Sequence, residues 1–195
     1  MQTAEWRNMV PLITDIGCVT GRFQPVHNGH IELFQTVLDV HSRLIVAITN
    51  PDPQTRWRHP NHASRHLEEA NPFTFYERTT MVHAACQFVG ISREQYDVVP
   101  FPLHEPERVT HYVPTNIIQY VRIFSSWEAG KAKMLQDYGY PVQSIDGNPA
   151  TKIAASAVRE GFGTGSDWRH LVPAPVADLV DYYRKRWSTF TSPAQ

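Results

Sequence analysis

One run, residues 44–49, constrains the fold of this chain more than any other segment. It reads LIVAIT, so that apolar residues occupy consecutive positions instead of alternate ones. A strand with one face in water alternates apolar and polar residues, whereas a strand covered on both faces is continuously apolar. The run therefore predicts a buried strand in a parallel sheet.

Segments with strand and helix patterns alternate along the rest of the chain. Short apolar runs predict further strands at 16–20, 96–99, 117–124 and 142–145. Helical spacing predicts helices at 31–38, 75–88, 127–138 and from 153 onward. This alternation indicates an α/β fold, in which a mainly parallel sheet of about five strands forms a doubly wound, Rossmann-like domain. We expect a single domain over 1–195, with its core at about 15–187.

A C-terminal helix is predicted after Pro173 and Pro175, because proline suits the first turn of a helix. The apolar residues that follow recur at helical spacing and share one face: Val176, Leu179, Val180, Tyr183 and Trp187.

The composition of the chain indicates which kinds of molecule it can bind. The 195 residues carry a formal net charge of −1, so no broad basic field is present to hold nucleic acid or an anionic membrane. Cys18 and Cys86 form no CxxC pair, which argues against a disulfide framework or a cysteine-rich zinc site. No signal peptide and no run of about 18 apolar residues is evident. We expect a cytoplasmic protein that acts on small molecules.

The sequence GRFQPVHNGH, residues 21–30, lies between the first predicted strand and the first predicted helix. Doubly wound sheets bind ligands at this position, and the free amides of a first helical turn favour an anion. Gly21 and Gly29 permit close approach of the backbone. His27 and His30 are three residues apart, so their imidazoles can face one ligand. A surface pair or half of a metal site remains the alternative.

GRFQPVHNGH resembles the signature of the HxGH nucleotidyltransferase superfamily, and its first five residues resemble archaeal-type nicotinamide mononucleotide adenylyltransferases. Two further segments are similar to that family: NPFT-x-x-ER with Met81 at 71–81, and DWRHLVP at 167–173. The resemblance implies catalytic roles for His27 and His30. It also implies two sets of binding residues: Gly21, Arg22, Phe23, Gln24 and Gly29 for the nucleotide, and Asn71, Phe73, Thr74 and Arg78 for the acceptor.

Residues 153–159, IAASAVR, resemble the ISxTxIR motif of the superfamily. Arg159 occupies the arginine position, which implies a catalytic role in which its positive side chain reaches the β- and γ-phosphates. Ser156 occupies the threonine-like position, which implies nucleotide binding. Ala154 departs from the motif, since it removes a hydroxyl that would contact a phosphate. The segment SSWEAGK, 125–131, resembles the nucleotide side of bacterial relatives, which implies nucleotide-binding roles for Ser125 and Ser126, although serines there also cap helices.

The acceptor side follows the resemblance less closely. The family's PxPD segment is replaced by PFPLH ending at His104, and Tyr112 stands where a stacking tryptophan is expected. Both are interpreted as acceptor-binding. The polar segment 51–70 is either functional or disordered. Its Arg56, Arg58 and Arg65 suit an acidic acceptor, whereas a zinc site at His59, His62 and His66 is disfavoured because a fourth ligand is missing.

We therefore expect a nucleotidyltransferase that releases pyrophosphate, with AMP transfer from ATP to nicotinamide mononucleotide as the favoured reaction. The alternative is cytidylyl or adenylyl transfer to another phosphate or phosphonate acceptor, which makes CTP a possible substrate. A noncatalytic nucleotide sensor is the third hypothesis. Mg²⁺ is expected to bind mainly through the triphosphate, with no dedicated protein metal site. The resemblance permits a homo-oligomer.

Overall fold

The computed structural model describes residues 13–56 and 66–191, and within them the side chains of 15–54, 56 and 66–185. Four of the basic residues singled out in segment 51–70 lie outside this part of the chain: Arg58, His59, His62 and Arg65. The side chain of Trp187 also lies outside it.

The described part of the chain contains all of the predicted strands and helices. The strands are β1 (Ile13–Gly21), β2 (Arg43–Thr49), β3 (Tyr96–Phe101), β4 (Ile117–Ile123) and β5 (Val142–Asp146). The helices are α1 (Asn28–Leu38), α2 (Phe75–Phe88), α3 (Pro106–Val109), α4 (Ser126–Asp137), α5 (Ala155–Thr164) and α6 (Ala174–Thr191). The sequence did not predict α3, because four residues are too few to show a helical period.

These elements belong to two compact units. The described part of the first unit comprises 13–22, Glu32–Thr55 and Glu94–Lys152, and that of the second comprises Phe23–Ile31, 56, 66–93 and 153–191. Each unit is therefore assembled from segments that are separated in the sequence. A single domain over 1–195 remains a prediction.

The first unit contains the whole sheet. Its strands are all parallel and lie in the order β3-β2-β1-β4-β5, which confirms the predicted doubly wound α/β fold. Every residue of β2 after Arg43 is buried, as its continuous apolar run requires. The hydroxyl of Tyr140 donates to the carbonyl of Val113 at 2.7 Å, so this buried phenol is paired. The core also contains Cys18, Ile45, Ala47, Phe101, Leu103, Val109, Ile117, Val121, Ala132 and Leu135.

A close approach at Gly17 sets how α1 packs on β1 in the first unit. A Cβ atom at this position would lie 2.4 Å from Val37 Cγ1 and 2.9 Å from the ring of His41. The ring of His41 lies within hydrogen-bond distance of the hydroxyl of Tyr120, 2.7 Å away. Glycine is therefore needed in the middle of this strand, where a larger residue would push the helix away.

The second unit is built around α2, α5 and α6. Helices α2 and α6 pack against each other. Of the predicted apolar face of α6, Val176, Val180 and Tyr183 are buried and Leu179 is partly buried. Aromatic rings link the segments, since Phe162 lies 6.2 Å from Phe73 and 6.0 Å from Trp168 between ring centroids.

Among the described residues, no helix combines the length and the apolar character that crossing a membrane demands.

Gly161 and Gly163 offer a matched pair on α5. A Cβ atom at Gly161 would lie 2.6 Å from Trp168 Cβ, whereas one at Gly163 meets no atom within 4 Å. We expect Gly161→Ala to lower the free energy of unfolding by about 1–3 kcal/mol through overpacking. Gly163→Ala should raise it by up to about 1 kcal/mol, because alanine favours the helix. Urea denaturation of both variants checks this, and equal effects would contradict the packing seen at Trp168.

Candidate active site

The loop after β1 carries the histidine pair. β1 ends at Gly21 and α1 begins at Asn28, with His27 immediately before the helix. Phe23 has a φ of 49°, in the left-handed region that a bulky residue occupies at a cost of about 1–2 kcal/mol. Its side chain is buried, and its ring meets that of His30 edge-on at 4.8 Å. A strained residue at this point is typical of a functional loop.

The two imidazoles of the pair lie together, as the spacing predicted. The rings of His27 and His30 are stacked, with centroids 3.6 Å apart and an interplanar angle of 25°. The carbonyl of His27 accepts from the amides of His30 at 2.8 Å and Ile31 at 3.2 Å, so His27 occupies the position that opens α1. This geometry lets both rings address one ligand.

A backbone contact selects the tautomer of His30. The amide of His27 donates to Nδ1 of His30 at 3.2 Å, so this nitrogen acts as an acceptor and carries no proton. The ring proton of neutral His30 therefore resides on Nε2. An Nε2–H group is a suitable donor to a phosphate oxygen.

His27 is held as a neutral imidazole. Burial lowers its pKa from 6.5 to about 3, because the charged ring would lose its hydration. Its Nδ1 is buried and has no hydrogen-bond partner among the described residues. His27 can consequently supply one N–H dipole but no positive charge at neutral pH.

Gln24 joins three segments of the second unit. Its side-chain Nε2 donates to the carbonyl of Phe73 at 2.9 Å, and its Oε1 accepts from the amide of Phe73 at 3.0 Å. The guanidinium of Arg159 donates to the carbonyl of Gln24 at 2.8 Å. The GRFQP loop, the NPFT segment and α5 are thus held together at one buried residue.

The cation at this junction is Arg159. Burial lowers the pKa of its guanidinium and the neighbouring Glu160 raises it, and an arginine stays charged at neutral pH. Since burial keeps His27 uncharged, Arg159 supplies a positive charge to the loop that carries the histidines.

The NPFT-x-x-ER segment forms the start of α2. Thr74 caps the helix: its hydroxyl accepts from the amide of Glu77 at 3.2 Å, while Glu77 accepts from the amide of Thr74 at 2.8 Å. This reciprocal capping box was missed at the sequence level, although Thr and Glu at this spacing are its signature. The side chain of Asn71 donates to the carbonyl of Leu67 at 2.8 Å.

Arg78 lies buried on α2, and its Nε donates to the carbonyl of Thr74 at 3.2 Å. Burial, with a smaller contribution from Arg56, lowers the pKa of its guanidinium to about 10. Much of this segment therefore has a structural role, and the acceptor-binding roles of Asn71, Phe73, Thr74 and Arg78 remain predictions.

Helix α5 begins one residue after the position that departs from the motif. Ala154 is the N-cap of the helix, with extended backbone angles and no side-chain hydrogen bond to the first turn. A serine here would accept from the amides of that turn or donate to a phosphate. Ser156 lies in the first turn and is exposed.

The C-terminal DWRHLVP segment supports the start of α1. The side-chain amide of Asn28 donates to the carbonyl of His170 at 3.0 Å. Arg169 forms ion pairs with Asp178 and Asp181 on α6. Neither Asn28 nor His170 was singled out from the sequence, because a side-chain bond to a distant backbone carbonyl leaves no local pattern.

Gly29 lies in the first turn of α1, in the second unit, and the remaining predicted site residues belong to the first unit. Gly21 and Arg22 lie at the end of β1 and directly after it. Ser125 caps α4, since its hydroxyl accepts from the amide of Trp127 at 3.3 Å, and Ser126 is the first residue of that helix. His104 is half-buried after β3, and Tyr112 is exposed after α3. Their binding roles remain predictions.

Glu128 and Lys152 were not selected from the sequence. They form an ion pair at 2.8 Å, and Glu128 also accepts from the hydroxyl of Ser125 at 2.5 Å. Lys152 lies 5.1 Å from the ring centroid of Phe124. Their charges lie far apart in the sequence, so no spacing could reveal the pair. Across 13–56 and 66–191, no group of three histidine, cysteine or acidic residues is placed to hold a metal ion.

Two stacked imidazoles at a helix start and a guanidinium bonded to the loop that carries them can all donate to the oxygens of a phosphate group. Comparison with known families agrees. The profile described as cytidylyltransferase-like matches residues 18–160. The chain therefore belongs to the cytidylyltransferase-like family of the HxGH superfamily, and is a nucleotidyltransferase.

Individual relatives carry different names. The chain is 36% identical over 168 residues to a phosphonoformate cytidylyltransferase of Streptomyces viridochromogenes, covering 86% of this chain and 91% of that protein. It is 27% identical over 165 residues to a nicotinamide-nucleotide adenylyltransferase of Thermococcus kodakarensis, and this match covers 84% of this chain and 81% of that protein.

A solved structure confirms the fold. The bifunctional NMN adenylyltransferase/ADP ribose pyrophosphatase of Francisella tularensis superposes with a TM-score of 0.64 at 16% identity. The match covers 93% of this chain but only 58% of that one.

The buried neutral His27 predicts an acid sensitivity of the fold. Between its unfolded pKa of 6.5 and its folded pKa of about 3, the unfolded chain binds a proton that the folded chain excludes. Stability should therefore fall as the pH falls through this window, by up to about 1.4 kcal/mol per pH unit from this group. His27→Asn should remove this slope in urea denaturation at pH 4–8, with the exposed His111→Asn as control. Parallel pH profiles for the wild type and His27→Asn would refute it.

Restoring a hydroxyl at the start of α5 should stabilise the helix. We expect Ala154→Ser to raise the free energy of unfolding by about 1 kcal/mol, because the serine oxygen satisfies an amide of the first turn. The matched change Ala157→Ser, at an exposed position inside α5, should be neutral or slightly destabilising. Thermal denaturation measures both, and equal shifts would show that position 154 does not act as a cap.

Proposed function

We propose that this protein transfers a cytidylyl group from CTP to a small acceptor that bears a phosphonate, with release of pyrophosphate. The support for the chemistry is the junction at Gln24, which brings Arg159 to the loop of the stacked histidines. The support for the acceptor is the 36% relative named as a phosphonoformate cytidylyltransferase. The replacement of the family's aspartate and tryptophan by His104 and Tyr112 agrees with an acceptor other than nicotinamide mononucleotide.

In the proposed reaction an acceptor oxygen attacks the α-phosphorus of the triphosphate. A bond forms between them, and the bond to the bridging oxygen breaks, so that its electron pair leaves with pyrophosphate. Negative charge develops on the nonbridging and leaving oxygens. The Nε2–H of His30 donates to this charge, His27 adds a second dipole, and Arg159 supplies the positive charge.

Adenylyl transfer from ATP to nicotinamide mononucleotide is the second candidate, and the sequence taken alone favoured it. Its support is the retained NPFT-x-x-ER segment together with relatives named as nicotinamide-nucleotide adenylyltransferases at 27% identity. The capping box at Thr74 weakens this support, because a helix start is reason enough to keep these residues.

Mg²⁺ belongs to the proposal. The candidate site provides imidazole and guanidinium donors suited to phosphate oxygens. Such a donor set fits an ion held chiefly by the triphosphate itself, where it neutralises charge during transfer. We also propose that the protein acts in the cytoplasm, where nucleoside triphosphates are available.

The deciding experiment pairs CTP and ATP, each with Mg²⁺, against phosphonoformate and nicotinamide mononucleotide, with mass detection of products. We expect a cytidylyl-phosphonate and pyrophosphate from CTP only. A dinucleotide formed from ATP and nicotinamide mononucleotide would establish the second candidate instead. Triphosphate binding without pyrophosphate from any pair would indicate a sensor.

The role of His30 is tested separately, with the triphosphate and acceptor that give a product in this experiment. His30→Ala should lower kcat by about 100-fold or more while nucleotide affinity changes little, because the donor acts on charge that develops during the reaction. His111→Ala, at an exposed position, is the control and should keep the wild-type rate. An unchanged kcat in His30→Ala would exclude this histidine from the mechanism.

A further inference from the structure

The sheet of the first unit opens between β1 and β4. The β1–β2 ladder continues to Gly21 and Ile48, whereas the β1–β4 ladder ends earlier, at Val19 and Tyr120. In the strand order β3-β2-β1-β4-β5 the direction of the crossovers reverses at this pair. Carboxyl ends of strands at such a reversal point form the crevice in which α/β sheets bind ligands.

Lys131 of α4 extends into this opening. Its ammonium donates to the carbonyl of Thr20, one residue beyond the end of the β1–β4 ladder. Burial raises the pKa of the Cys18 thiol to about 12, and Gln119 and Lys131 partly oppose this rise. The positive charge of Lys131 therefore acts on the face of β1 that carries Cys18 and, by strand alternation, Thr20.

Thr20 supplies a second polar group at the same place. Its side chain is only 5% exposed, and its hydroxyl has no hydrogen-bond partner among the described residues. A buried hydroxyl without a partner is unfavourable, so a ligand that pairs it is favoured. A hydroxyl and an ammonium together suit an anion with several acceptor oxygens, and phosphate is such an anion.

We propose that Lys131, with the hydroxyl of Thr20, binds a phosphate group of the nucleoside triphosphate. This inference rests on the proposed nucleotide chemistry, but not on the identity of the base or of the acceptor. Its position agrees with the topology of the sheet, because Thr20 lies at the carboxyl end of β1, where the β1–β4 ladder has ended. The competing interpretation is that Lys131 only satisfies the carbonyl at the end of the β1–β4 ladder.

Binding titrations separate the two interpretations. We compare Lys131→Met, which keeps most of the side-chain volume, with Lys133→Met two residues along α4, where Lys133 is exposed and paired with Asp137. CTP, ATP and inorganic tripolyphosphate are titrated by calorimetry. Lys131→Met should weaken the binding of all three ligands by about tenfold or more, whereas Lys133→Met should leave their affinities unchanged. Equal affinities in Lys131→Met and the wild type would overturn the proposal.

A labelling experiment on the wild type covers the case in which Lys131→Met fails to fold. Reductive methylation is followed by mass spectrometry with and without inorganic tripolyphosphate. The anion should slow the modification of Lys131 and leave that of Lys133 unchanged. Equal rates at Lys131 with and without the anion would overturn the proposal. Because tripolyphosphate carries no base, protection of Lys131 in a protein that forms no cytidylyl product would refute the proposed function alone.

Discussion

The double hydrogen bond between the side chain of Gln24 and the backbone of Phe73 is the interaction on which the candidate site depends. It joins two loops that lie 49 residues apart in the sequence, in a place that water does not reach. A buried amide that lost these partners would keep the full cost of desolvation, so the pairing is strongly specified. The guanidinium of Arg159 donates to the backbone carbonyl of the same Gln24. The charge of the site is thus positioned by a residue that does no chemistry itself.

The three catalytic candidates, His27, His30 and Arg159, differ in the charge that they can supply. Burial keeps the His27 ring uncharged at neutral pH by lowering its pKa to about 3, and a backbone amide that donates to Nδ1 of His30 leaves Nε2 of that ring as the donor. Arg159 carries the charge because guanidinium tolerates partial burial without losing its proton. Preorganised dipoles with one fixed charge suit a reaction in which negative charge spreads over phosphate oxygens.

The sequence predicted the sheet and the helices well, because each rests on local periodicity: β2 is continuously apolar and buried, and α2 spans the predicted residues. It also predicted that His27 and His30 would meet. It could not predict the pairing of Gln24 with Phe73 or of Lys131 with Thr20, since both join residues far apart in the sequence. It assigned Thr74 to acceptor binding by resemblance, whereas the structure gives its hydroxyl a capping role.

The interleaving of the two units has a consequence for how the protein is made. The unit that carries the histidine pair includes residues 23–31 near the beginning of the chain and 153–191 near its end. Gln24 leaves the ribosome long before Arg159 exists to bind its carbonyl. The strands of the sheet unit, by contrast, are complete by Asp146. During synthesis the sheet can therefore assemble first. The contact between Gln24 and Arg159 can form only after residues 153–159 have been synthesised.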